Sequence, residues 1–110
     1  MVGLLFGCNT TANEPEGKIG IRGTVTEIST DGEYGSILVE GELEEDTDYD
    51  KGSVRITKDT LIQKDALSKL FVFNDIQVGD VVEVIFDGPV AESYPVQGTA
   101  GVVRIITEKK

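Results

Sequence analysis

Three stretches of the chain carry side chains with chemistry beyond packing. They are the single cysteine, Cys8; the carboxylates Asp46, Asp48 and Asp50; and Glu92, Ser93, Tyr94 and Gln97 around Pro95. The three aspartates alternate as the first ligands of a calcium loop do, a spacing that lets each oxygen reach one ion. The pattern leaves the EF-hand at two decisive places, since glycine arrives one position late, at Gly52, and Thr57 stands where the closing glutamate belongs. A weak extracellular-type calcium site is one reading, and a calcium-stabilised structural domain would follow from it. A solvated acidic hairpin tip is the plainer and preferred reading. In the third stretch Pro95 restricts Tyr94 to extended geometry. A phenol, a hydroxyl, an amide and a carboxylate are thereby held on one short connection, a set suited to a polar ligand such as a sugar or peptide. The competing reading packs Tyr94 over the end of the domain and uses Ser93 to tie down the turn. Tyr34, just past a turn signal, joins Glu92, Ser93, Tyr94 and Gln97 as a candidate ligand-binding residue.

What is absent narrows the chemistry further. The chain has no histidine, so neither a Ser-His-Asp nor a Cys-His pair can form. One cysteine makes neither an internal disulfide nor a zinc site. Nothing in the spacing brings two carboxylates together as acid and base, so an enzyme is not expected, and no cofactor is. Twenty acidic residues against ten basic ones leave a net charge of −10. Such a surface repels nucleic acid and anionic lipid, and suits cations, basic proteins or neutral polymers. The arginines Arg22, Arg55 and Arg104 each fall within a strand pattern. Arg55 and Arg104 side by side would make an anion site, but cross-strand pairing with Glu40, Glu42 or Glu83 is the preferred expectation.

The chain opens Met1-Val2-Gly3-Leu4-Leu5-Phe6-Gly7-Cys8-Asn9. Leu5-Phe6-Gly7-Cys8 resembles a lipobox, the end of a bacterial lipoprotein signal, in which the cysteine takes a diacylglycerol and becomes the mature N-terminus. Phe6 is an unusual occupant of its position. No basic n-region precedes the motif and the apolar run is short, the pattern of a chain that starts inside its natural signal. A short first strand, or an apolar start with a free thiol, are the other readings. Residues 9–17 are polar without an apolar period, as a tether would be. The expected organisation is a signal remnant over residues 1–8, a tether over 9–17 and a folded domain over 18–108. Contact with the membrane is expected only through a lipid on Cys8, on the outer face of the cytoplasmic membrane.

From Lys18 onward the apolar residues alternate with a period of two. Ile19, Ile21, Gly23 and Val25 share one face, and Asp31-Gly32 signals a hairpin turn. A second strand sets Ile37, Val39, Gly41 and Leu43 on one face. A third, residues 53–57, turns Val54 and Ile56 inward and Arg55 outward, with Leu61-Ile62 extending it after a bend. Asp65 is placed to cap a short helix bearing Leu67, Leu70 and Phe71. Val81 to Phe86 is apolar on nearly both faces and reads as a central strand. A connection over residues 88–98 leads to a last strand at 101–106. Three strands, a helix and two strands is the order of the OB-fold, an all-β five-stranded Greek-key barrel with one short helix between strands three and four.

Gly20-Ile21-Arg22-Gly23-Thr24-Val25, Thr60-Leu61-Ile62, Val78-Gly79-Asp80-Val81-Val82-Glu83-Val84 and Glu92-Ser93-Tyr94-Pro95-Val96-Gln97 resemble the YobA-like lipoprotein domain, a family of unknown function from Gram-positive bacteria. The likeness runs from about Ile19 to Ile106. It implies an exported, lipid-anchored domain and transfers no catalytic or binding residues. The function expected is therefore a binding or interaction module at the cell envelope, a monomer that engages an envelope component or another exported protein and no nucleic acid.

Overall fold

The computed structural model describes residues 18–64 and 71–106. It contains the strands β1 (Ile21–Asp31), β2 (Tyr34–Gly41), β3 (Lys51–Ile56), β4 (Leu61–Lys64), β5 (Val81–Phe86) and β6 (Val96–Ile106). β1 and β2 form the expected hairpin, whose turn is opened by Gly32 at φ 75°, a backbone state that side-chain-bearing residues avoid. β2 continues antiparallel to β3, and β5 lies antiparallel between β1 and β6. β3 and β6 then run parallel and close the ring. The result is the expected all-β OB-like barrel of five strands.

Alternation along each strand fills the interior. Ile21, Val25, Ile37, Val39, Val54, Val82, Val84 and Val103 are all fully or almost fully buried. Burying an aliphatic side chain of this size contributes about 1.5–3 kcal/mol, so this lining, rather than any crosslink, holds the barrel. A bulge between Val25 and Glu27 resets the alternation of β1 and increases its twist. This bend lets one 11-residue strand pair with β5 at its start and with β2 beyond. Gly23 and Gly41 face each other across a close approach of β1 and β2 that leaves no room for a Cβ on either.

Four local expectations are corrected. Leu61-Ile62 does not prolong the third strand. The turn closed by Thr60 N–H donating to the Thr57 carbonyl at 3.1 Å redirects the chain, and β4 runs parallel to the second half of β6. β6 is longer than β3, so its edge beyond Thr99 is left open, and β4 satisfies backbone groups that would otherwise lack partners. Strand β2 ends at Gly41, leaving Leu43 exposed. The last strand begins at Val96 rather than 101. The end of the expected helix is not helical, because Phe71 bridges Ile62 and residues Phe73–Asp75 make one 3-10 turn. Residues 65–70, where that helix was expected to start, lie outside the described residues, as do Cys8, the tether over 9–17 and residues 107–108. Among the described residues no helix is long and apolar enough to cross a membrane.

Candidate functional site

The strands that close the barrel also build its most evident concavity. Ser36 of β2 lies opposite Arg55 of β3, and across the parallel seam Ser53 pairs with Gln97 and Arg55 with Thr99. These outward positions line a groove of about 540 Å³ that runs to the β1–β2 turn, where Ser29, Asp31 and Tyr34 complete it. Its two charges are Asp31 and Arg55. Arg55 is exposed and makes no ion pair among the described residues. Hydroxyl groups and one amide surround it, and these both donate and accept hydrogen bonds.

At one end of the groove sits the connection that carried four of the candidate residues. Ala91 and Gln97 exchange backbone hydrogen bonds of 2.8 and 3.1 Å, and the Tyr94–Pro95 peptide is cis. The Ser93 hydroxyl donates to the Pro95 carbonyl at 2.8 Å, and Gln97 Nε2 donates to Ser93 Oγ at 3.3 Å. Ser93 therefore ties down the turn and steadies Gln97, which lines the groove. Tyr94 does not cap the barrel: it is 70% exposed, with Lys51 Nζ 6.0 Å from its ring centroid. Partial desolvation against the loop raises its phenol above the ordinary value, and the carboxylates of Asp50 and Glu40 add to that. Glu92 is exposed and does not line the groove. Of the five candidates the structure thus brings Tyr34 and Gln97 to the groove, with Ser93 behind Gln97 and Tyr94 beside Lys51. The sequence offers Arg55 only as half of an anion site shared with Arg104, and it marks none of Ser36, Ser53 and Thr99 as site residues. Their signal was Arg55's outward position in the third strand, and its true neighbour was hidden by placing the last strand five residues late.

The acidic loop has a different use. Asp46 accepts from Arg22 at 2.7 and 3.0 Å through its two oxygens, Glu44 accepts from the same guanidinium, and Asp48 accepts from Lys18 at 2.7 Å. The N–H groups of Asp48 and Tyr49 both donate to the Gly20 carbonyl, at 2.9 and 2.8 Å. Asp46, Asp48 and Asp50 are not gathered as metal ligands, and among the described residues no three such side chains form a metal-holding group. The charges of Asp46 and Asp48 instead clasp the loop to Arg22 of β1 and to Lys18 just before it.

A family model matches residues 22–107. The chain belongs to the DUF3221 family of proteins of unknown function. No curated protein matches it. The DUF3221 span covers the barrel from the second residue of β1 to just past β6 and takes in every groove residue.

Electrostatics of this DUF3221 barrel centre on one row of side chains. Glu83 of β5 lies directly across from Arg22 on β1 and from Arg104 on β6. It accepts from Arg22 Nε at 2.9 Å and from Arg104 Nη1 at 2.8 Å. The preferred cross-strand pairing thus holds for two arginines. Arg55 stands apart, and Arg104 shares no anion site with it. The hydrogen bonds it donates to Asp46 and then to Glu83 hold the Arg22 guanidinium charged beyond its ordinary range. In return Arg22 pulls the Asp46 carboxyl below the usual value. A carboxyl depressed on folding contributes stability above its unfolded pKa of about 3.9, and the contribution is lost as pH falls through the folded value. Thermal melts taken downward from about pH 5 are therefore expected to fall more steeply for the unaltered chain than for Asp46→Asn. Parallel curves would remove Asp46 from the clasp.

Proposed function

We propose that this DUF3221 domain is a binding module of the cell envelope, carried outside the cytoplasmic membrane on a lipid-modified Cys8, and that its groove engages an envelope component or another exported protein. The observation that carries the reading is Arg55. Two of the three arginines pair with Glu83, yet the third makes no ion pair among the described residues and lies in a concave, hydroxyl-lined surface of a chain with net charge −10. A guanidinium fork with no internal carboxylate is available to an external one. The strand-two and strand-three face is also where OB-folds take their ligands. Binding rather than catalysis is supported because the groove offers a single carboxylate, Asp31, with no second acid or base beside it.

Amide resonances of Ser53, Arg55, Gln97 and Thr99 are expected to shift when a solubilised bacterial envelope fraction is added. Arg55→Ala is expected to weaken the response about tenfold, the cost of one charge-assisted hydrogen bond at the low end of its range. A groove that stays silent would end the binding reading. The anchor has a separate test. In membranes from cells expressing the natural full-length gene, intact mass is expected to show a diacylglycerol-modified Cys8, lost in Cys8→Ser. Unmodified protein confined to the cytosol would overturn it.

A further inference from the structure

We infer that the groove takes an acidic oligosaccharide, with a sugar carboxylate on Arg55 and a sugar ring against Tyr94. This assignment rests on the binding-module reading and gives it a ligand class. The floor of the groove is a closed sheet. β2–β3 and β3–β6 pair along its length, from Gly35↔Ile56 to Val39↔Gly52 on one side and from Gly52↔Val96 to Arg55↔Thr99 on the other. No strand edge is left there for an extended peptide to join, so the main-chain mode of peptide recognition is closed. Recognition falls to the side chains of Ser36, Ser53, Gln97 and Thr99 around Arg55. Groups that donate and accept equally match sugar hydroxyls, which do the same. Asp31, at the far end, accepts from two hydroxyls as readily.

Charge selects among sugars. Arg55 offers a planar fork that fits a carboxylate with two parallel hydrogen bonds. A phosphate ester fits the same fork but brings a charge of about −1.5 to −2 against a chain already at −10. The singly charged carboxylate meets less repulsion. Tyr94 extends the site. Its ring stands over Lys51, four residues before Arg55 on β3, a separation of ~13 Å at the rise of a strand. That is the reach of a short oligosaccharide rather than a monosaccharide. The exposed phenol offers an apolar face with a polar tip, as a sugar ring requires. Single-stranded nucleic acid needs a basic track and successive aromatic platforms, and this groove has one arginine.

The test uses the 110-residue chain and amide shift titrations with a tetrasaccharide bearing a single uronic acid, its uncharged methyl ester, a hyaluronan tetrasaccharide and a phosphorylated maltotetraose. The two uronic acid oligomers are expected to shift Ser53, Arg55, Gln97 and Thr99, and esterification to weaken binding about tenfold. Arg55→Ala should weaken the acids by the same factor and erase their advantage over the ester. Tyr94→Ala should weaken acid and ester alike. Dispersed spectra of both variants would show that they fold, as two exposed side chains predict. The inference is overturned if the ester equals the acid, if the phosphorylated sugar binds more tightly than the uronic acids, or if neither uronic oligomer shifts the groove. In each case a groove that still responds to the envelope fraction leaves the binding-module reading standing, and a groove silent to both removes the two together.

Discussion

Gly41→Ala is expected to be among the most damaging single changes the barrel can suffer, although alanine adds only one methyl group. A Cβ on Gly41 would run into the Arg22 carbonyl oxygen and lie 2.8 Å from Gly23 Cα. Its partner is no more accommodating, because a Cβ on Gly23 would collide with the Glu40 carbonyl and lie 2.7 Å from the Gly41 amide nitrogen. The obstacles are backbone atoms of the facing strand, which no rotamer change can move. Relief requires β1 and β2 to separate where β1 also begins to pair with β5. Overpacking of this kind costs about 3 kcal/mol or more. For a domain near 100 residues that corresponds to a fall in melting temperature of roughly 12–24 °C. Gly32→Ala is the informative comparison. Its φ of 75° strains alanine, but no atom lies within 4 Å of the added methyl. That change should cost only about 1–2 kcal/mol. Thermal melts of both variants decide the matter, and equal losses would mean that close approach is not what requires glycine at position 41.

The second large effect is expected at Glu83. Its side chain is 14% exposed and lies between two guanidinium groups that are themselves largely covered. Glu83→Gln keeps the shape, removes the charge, and leaves Arg22 and Arg104 facing each other across β5. Arg22 retains Glu44 and Asp46, whereas Arg104 loses its one ion-pair partner among the described residues. Breaking a fully buried pair costs 3–5 kcal/mol and an exposed one 0–1, so about 2 kcal/mol is expected for this intermediate setting. Urea denaturation should show a lowered midpoint with an unchanged slope. Adding Arg104→Met should recover part of the loss, because it removes the stranded charge and keeps an apolar stem against the sheet. A double variant no more stable than Glu83→Gln alone would show that the cost lies elsewhere than in the unpaired arginine.

Much of the architecture was legible before any coordinates. Period-two alternation set Ile21 with Val25, Ile37 with Val39, and Val54 with Ile56 on shared faces, and all six are buried. The Asp31-Gly32 pair marked the first hairpin, and the double-sided apolar run over 81–86 marked the central strand. Where the reading failed, the deciding partner was distant. A short helix after Asp65 bearing Leu67, Leu70 and Phe71 satisfied the local period, but Phe71 is committed to Ile62 and Phe73–Asp75 to a single turn. Pro95 and the glycines around it spell a loop locally, whereas β3 supplies the pairing that makes Val96–Thr99 a strand.

The same division runs through the chemistry. Absence of histidine, a lone cysteine and a charge of −10 are properties of composition, and they excluded whole classes of mechanism without reference to shape. Which carboxylates pair with which cations could not be read that way. Asp46, Asp48 and Asp50 have calcium-like spacing, but Arg22 and Lys18 approach two of them from 24 and 30 residues away. Arg22, Arg55 and Arg104 occupy equivalent outward strand positions. Only the register of β5 against β1 and β6 sets Glu83 between two of them, and only the parallel closure of β3 on β6 surrounds the third with hydroxyl groups. Side-chain type is local, but neutralisation is a contact between strands far apart in the chain. Alternation and composition therefore determined most of the strands and the excluded chemistry, and the closed barrel decided that Glu83 pairs with Arg22 and Arg104 while Arg55 makes no ion pair among the described residues.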